Sequence, residues 1–287
     1  MKATSQSGFN LFQIAFLVAA VGIIVGGLFA NWNTAQDTSP LVVTQDRQNR
    51  IALALSNYLQ NYGRLPCPGN VNGATIETIG IAANACNTPN SREGIVPYAT
   101  LGIHPLDIYD GWGNLFTYVV QANISQANNG AGTVHDQCRT NPDWIPVATN
   151  LNPIKANICC RSINADRLIV RNAANQEIVP AQILGVGSSF QNPDTPATTI
   201  AGSTLTYVAY VLISHGENQG GAFSLGVVGK TPSVKAAMSP NELENQDGDN
   251  ELIASVSSEV PYFDDIVLYR TQQQMMRDLG GTGCGQP

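Results

Sequence analysis

The chain has 287 residues, a formal net charge of −7 and only 12% charged side chains. That length holds one large domain, or one domain with an insertion, behind an N-terminal segment. The acidic balance offers no face for nucleic acid, and so few charges leave the surface to Asn, Gln, Ser and Thr.

The N-terminus reads Ser7-Gly8-Phe9-Asn10-Leu11-Phe12-Gln13-Ile14, a short polar leader with one basic residue, Lys2, running into an apolar segment. No charge occurs between Lys2 and Asp37. A secretory signal places its small-residue cleavage site after the apolar core. Here Gly8 sits before it, so a cut after Gly8 leaves the apolar run on the mature chain. Residues 9–30 are long enough to span a bilayer as a helix. Lys2, with no Lys or Arg until Arg47, places the N-terminus in the cytoplasm. Gly22, Gly26 and Gly27 permit close helix packing.

Ser39 can cap a helix and Pro40 suits its first turn. From there to Tyr62, the residues Ile51, Leu55, Tyr58, Leu59 and Tyr62 build one apolar stripe. Gly63 and Pro66 end it. After Pro66, short β-type runs alternate with turns rich in Gly, Pro, Asn and Asp. The clearest runs are 115–120, 167–171, 178–184, 205–214 and 266–269, and residues 271–279 suit a short terminal helix. The fold class expected is α+β: a long N-terminal helix, with a membrane half and an amphipathic half, packed on an antiparallel sheet. The domain divisions are 1–8 leader, 9–38 membrane or core helix, 39–63 amphipathic helix, and 64–287 exported β-rich domain with an insertion around 121–204.

The six cysteines are Cys67, Cys86, Cys138, Cys159, Cys160 and Cys284. An even number in an exported chain reads as disulfides. Without C-x-x-C, and with scattered histidines, a zinc site is not indicated. Six cysteines allow 15 pairings. Cys67 and Cys86 bracket one loop and are expected to pair; Cys138 would take Cys159 or Cys160, and Cys284 the other.

Asp247, Asp249 and Glu251 place three carboxylates within five residues around Gly248, and Asp264 and Asp265 can complete an oxygen-rich set suited to calcium. The alternative is a solvated acidic loop. The EF-hand pattern is not met. No catalytic set emerges: Ser214 and His215 are adjacent at a strand end and point to opposite faces, so they cannot pair as nucleophile and base. Gly185-Val186-Gly187-Ser188-Ser189 lacks the lysine and following helix of a phosphate loop.

Ser7-Gly8-Phe9 with its apolar run resembles the prepilin signal of type IV pilins and type II secretion pseudopilins. Three further segments are similar to that family: Arg64-Leu65-Pro66-Cys67-Pro68 with 94–102 after the helix, Asp110-Gly111-Trp112-Gly113-Asn114-Leu115-Phe116-Thr117-Tyr118, and Ser214-His215-Gly216-Glu217-Asn218 with Asp264-Asp265-Ile266. The resemblance implies a non-enzymatic filament subunit of a pilus (a fimbrium) or pseudopilus. It implies cleavage after Gly8 by prepilin peptidase, N-methylation of Phe9, assembly by inner-membrane machinery with copies of itself or related pilins, and an inner-membrane and then periplasmic or extracellular location. It also makes calcium near the closing strands plausible. One departure stands out: the family's fifth mature residue is commonly glutamate, which neutralises a neighbour's N-terminus, and here it is Gln13. Asn10 and Gln13 are then the polar side chains near the start of the apolar core. The alternatives are an anchored periplasmic or surface binding domain that does not polymerise, and a minor tip pilin that binds a ligand such as DNA.

Overall fold

The computed structural model describes residues 14–16, 18–22, 39–62, 64–70, 79–86, 88, 91–125, 168–179, 189–192, 195–199, 208–225, 229–234, 238–271, 274, 275 and 278. Gly8, Phe9, Asn10, Gln13, Cys138, Cys159, Cys160 and Cys284 lie outside the described residues.

The first complete element is helix α1, Pro40–Tyr62. Its buried positions are Thr44, Gln48, Ile51, Ala52, Ala54, Leu55 and Leu59, a stripe at helical spacing. Strand β1 (Glu93–Ile95), helix α2 (Tyr98–Leu101) and a 3-10 turn (Pro105–Ile108) lead to β2 (Thr117–Val120) and helix α3 (Ala122–Ser125). Then come β3 (Ile169–Arg171), β4 (Ser189–Asn192), β5 (Thr195–Thr199) and β6 (Val208–Ser214). Helix α4 (Pro240–Glu244), β7 (Glu251–Ile253), β8 (Ser258–Glu259), β9 (Tyr262–Phe263) and β10 (Ile266–Thr271) complete the order.

The main sheet runs β1-β2-β6-β10, every pair antiparallel. All seven residues of β6 are buried, which explains its unbroken apolar run. Alternation divides its side chains between two cores. Tyr210 and Leu212 join Ile51, Leu55 and Leu59 of α1, with Phe116 and Tyr118. Val211 and Ile213 join Leu168, Val170 and Leu252 on the other face. That second face is covered by β3 and β7, which pair in parallel. Of that covering pair, β3 comes from the expected insertion and β7 from the chain after it. Residues 178 and 179 lie outside any strand, and 274, 275 and 278 are helical.

Polar contacts fix α1 on the sheet. Gln48, 1% exposed, donates through Nε2 to the carbonyls of Leu212 (3.3 Å) and Ile266 (3.0 Å), on adjacent strands. Thr44 Oγ1 accepts from Gly111 N–H (2.9 Å) while donating to the Pro40 carbonyl (2.7 Å). A Cβ on Gly111 would sit 2.0 Å from the Pro40 oxygen, so only glycine permits this approach. Cys67 and Cys86 form a disulfide across the loop that follows α1.

The expected long N-terminal helix is corrected. Among the described residues, no helix is long and apolar enough to cross a membrane. Helix α1 begins at Pro40, which lacks the N–H that would bond a preceding turn and disfavours helical backbone in the residue before it. It carries Asp46, Arg47 and Arg50, so its apolar surface is a stripe and not a belt. The domain that it serves is dominated by its sheet, with little helix besides.

Candidate cation site

The segment after β6 turns sharply. Gly216 adopts φ +56° and lies so close to Asp264 that a Cβ would meet its carboxylate carbon at 2.5 Å. This closeness lets Asp264 Oδ2 accept from the N–H groups of Glu217 (2.7 Å) and Asn218 (2.9 Å), and from the Tyr262 hydroxyl (2.9 Å). Desolvation first, then the hydrogen bond to Asp264 and its charge, raise the Tyr262 hydroxyl above its usual range. Asp265, next in the chain, is 2% exposed. Its Oδ2 accepts from Asn245 Nδ2 (2.8 Å), and Asn245 also exchanges two hydrogen bonds with the backbone of Ile253.

Glu242 arrives from α4. Ser239 caps that helix in a reciprocal box: its Oγ accepts from Glu242 N–H, and Glu242 Oε2 accepts from Ser239 N–H. Oε1 then accepts from Asn218 Nδ2 (3.2 Å) and Asp264 N–H (3.1 Å). Glu242 is 1% exposed. Glu242, Asp264 and Asp265 each offer an oxygen, all within 4.8 Å of one another.

The electrostatics of this group are unbalanced. Asp264 Oδ1 and Asp265 Oδ1 are buried without a hydrogen-bond partner. The nearest cationic candidate is His215, whose Nδ1 lies 3.5 Å from Asp265 Oδ1 and makes no hydrogen bond. Among the described residues, no Lys or Arg forms an ion pair with any of the three. Burial, with the Asp265 charge adding to it, pushes Glu242 up to about 7. Like charges in a site closed to water either take up a proton or take a counter-ion. An all-oxygen donor set with two unused buried oxygens fits a hard divalent cation such as calcium.

The acidic residues of the sequence divide between two places. Asp264 and Asp265 join the cluster. Asp247 and Asp249 are exposed and fold onto their own loop: Asp247 Oδ1 accepts from Asp249 N–H (3.2 Å), and Asp249 Oδ1 from Glu251 N–H (2.8 Å). Glu251 is engaged by Arg171 through two hydrogen bonds of 2.9 and 3.1 Å, across the β3–β7 pair. Sequence reasoning missed Glu242, whose local signal was the Ser239-Pro240-Asn241-Glu242 capping pattern. Asn245 opens the acidic stretch, and His215 and Asn218 lie in a segment that resembles the pilin family, but none of the three was assigned to the site.

A second buried polar group adjoins the first. Asp110 Oδ1 accepts from Trp112 N–H (2.9 Å) and Asn114 N–H (2.8 Å), while its Oδ2 accepts from Ser214 Oγ (2.6 Å). Burial raises Asp110 despite these bonds. Asn114 Nδ2 donates to the Gly216 carbonyl (2.6 Å), which links the tryptophan turn to the Gly216 turn. Ser214 and His215 have separate partners: His215 Nε2 lies 2.8 Å from Thr117 Oγ1. Thr117, His215 and Asp265 stand in line, and all three are buried. Comparison with protein-family models, curated proteins and solved structures found no match.

Proposed function

We propose that this chain is a structural subunit of a pilin-like filament, cut between Gly8 and Phe9 and assembled through the apolar segment that follows, with an exported domain that calcium locks at Glu242, Asp264 and Asp265. The observation that carries the filament reading is the position of Gly8. It stands before the apolar run and not after it, so processing there retains an apolar N-terminus for contacts between subunits. The domain's construction supports an exported role, since Cys67 and Cys86 form a disulfide. The orphaned carboxylate oxygens carry the calcium reading: a bound cation gives both of them a partner and offsets the burial, and with it the Asp265 charge, that raises Glu242. It would also tie the turn after β6, α4 and the start of β10 into one unit.

Gln13 favours a second reading within the same class, a tip subunit. In the body of a filament each N-terminal ammonium needs a counter-charge, and glutamine supplies none. A tip position removes that need. Substituting Gly8→Leu tests the processing step. The variant is expected to keep its leader and run larger than the processed chain on a gel, with no chain in sheared surface material. Normal processing and assembly of Gly8→Leu would contradict the proposal.

A further inference from the structure

The two edges of the main sheet differ. β1 is three residues long, and its outer side is occupied. Gly69 N–H donates to the Ile95 carbonyl (2.8 Å), and Ile95 N–H to the Gly69 carbonyl (3.3 Å). β10, at the opposite edge, has six residues. Its inner side pairs with β6 from Ile266 onward. Among the described residues, no backbone group pairs with its outer side. Folded proteins guard such edges with lysine, proline, bulges, short length or a covering element. The sequence Ile-Val-Leu-Tyr-Arg-Thr has no lysine or proline, and its charge and its register irregularity both fall at its far end, Arg270/Thr271.

A groove of about 440 Å3 runs between this strand and α1. Its helix wall carries Gln45, Gln48 and Asn49, and Gln274 closes one side. Gln48 holds the Ile266 carbonyl and so fixes that end of the edge to the helix. Gln45 and Asn49 are exposed, one helical turn apart, and bear neutral amides. An amide both donates and accepts, as a peptide backbone does.

We propose that the groove between β10 and α1 is a strand-addition site, which takes an extended segment of a partner polypeptide as a fifth strand. Six residues of edge span roughly 20 Å, with backbone groups of alternate residues facing outward; at the far end the Thr271 N–H is already held by Gln274 Oε1 (2.8 Å). Main-chain hydrogen bonds to that edge would supply the affinity, as in other strand-addition complexes. The amides of Gln45 and Asn49 reach the backbone of the added segment from the helix side. Among the described residues Arg270 is the one charged residue lining the groove, so the segment is neutral or acidic and not basic. The inference stands on the edge and the groove alone and does not depend on the filament reading.

The test uses the full-length chain and an eight-residue peptide of alternating threonine and valine with one glutamate. The control is the same peptide N-methylated at alternate amides, which keeps the side chains but removes one edge of donors. Hydrogen exchange at residues 266–271 is the readout. The unmodified peptide is expected to slow exchange there by at least about tenfold and saturably, and the methylated peptide to leave it unchanged. Asn49→Trp and, independently, Gln45→Trp fill the groove from exposed helix positions and are expected to abolish the protection with the melting temperature unchanged. The proposal is overturned if roughly millimolar peptide gives no protection, or if the methylated peptide protects equally. It is also overturned if both tryptophan variants bind normally, or if sedimentation shows that the edge is already closed by a second copy of the chain.

Discussion

Changing Asp265→Asn separates a cation site from a merely crowded acidic cluster, because its effect reverses sign with calcium. Asp265 is 2% exposed, with Oδ2 accepting from Asn245 and Oδ1 without a partner. Asparagine keeps an acceptor for Asn245 and removes the charge. In chelator, the wild-type chain carries a buried orphaned carboxylate oxygen beside Glu242 and Asp264, a cost of about 1–3 kcal/mol. Asp265→Asn removes the like charge beside Glu242 and Asp264 and turns the unpartnered oxygen into an amide donor beside His215 Nδ1, so the variant is expected to melt higher than wild type. In calcium the order inverts. A ligand at about a hundredfold excess over its dissociation constant stabilises the folded state by about 2.7 kcal/mol. For a domain of this size, that raises the melting temperature by roughly 5–10 °C. The variant loses a ligand and most of that gain. Scanning calorimetry of both proteins, in chelator and in calcium, gives four melting temperatures. A wild-type chain indifferent to calcium, or a variant that melts lower by the same amount in both conditions, refutes the reasoning.

Three other outcomes follow from the same structure. In chelator, the stability that Glu242 contributes is expected to be full below about pH 4.5 and to be lost as pH rises through 7, because the folded state raises Glu242 to about 7 and so holds its proton more tightly than the unfolded chain does. Denaturant melts across that range check it, and calcium should flatten the slope. Gly111→Ala places a Cβ 2.0 Å from the Pro40 oxygen, which forces the start of α1 off the tryptophan turn; urea melts are expected to show a loss of about 2–4 kcal/mol, whereas an unchanged midpoint would contradict that contact. Replacing both Cys67 and Cys86 with serine is expected to cost about 3 kcal/mol by freeing the loop that they close, read as a lower midpoint in the same melts.

Much of the helix and the central sheet was legible because their signals are local. The spacing of Ile51, Leu55 and Leu59 marks α1, and those residues do face Tyr118, Tyr210 and Leu212. The continuous apolar run of β6 marks a strand buried on both faces. β1 was missed, since three residues containing a glycine carry no alternation. The parallel pairing of β3 with β7 joins Arg171 to Glu251 across 80 positions, and nothing local announces it. The cation site shows the same division. Five carboxylates stood out by density, yet density does not separate a loop that bonds to itself from a cluster whose oxygens converge. Asp247 and Asp249 satisfy their own turn. Glu242 stood apart from them in sequence and reached Asp264 and Asp265 only through the packing of α4 against the Gly216 turn. The start of α1 at Pro40 was legible from its capping pattern; the long apolar helix before it was expected from hydropathy and the family resemblance, and it is corrected because no helix among the described residues is long and apolar enough to cross a membrane.

The filament proposal turns on what becomes of the N-terminus. Surface material sheared from cells that make this chain, separated into filaments and measured by intact mass, tests it most directly. The account predicts filaments containing the chain, with a mature N-terminus at Phe9 that carries one methyl group. A chain that retains Met1, or one found only in membranes and never in filaments, would contradict it.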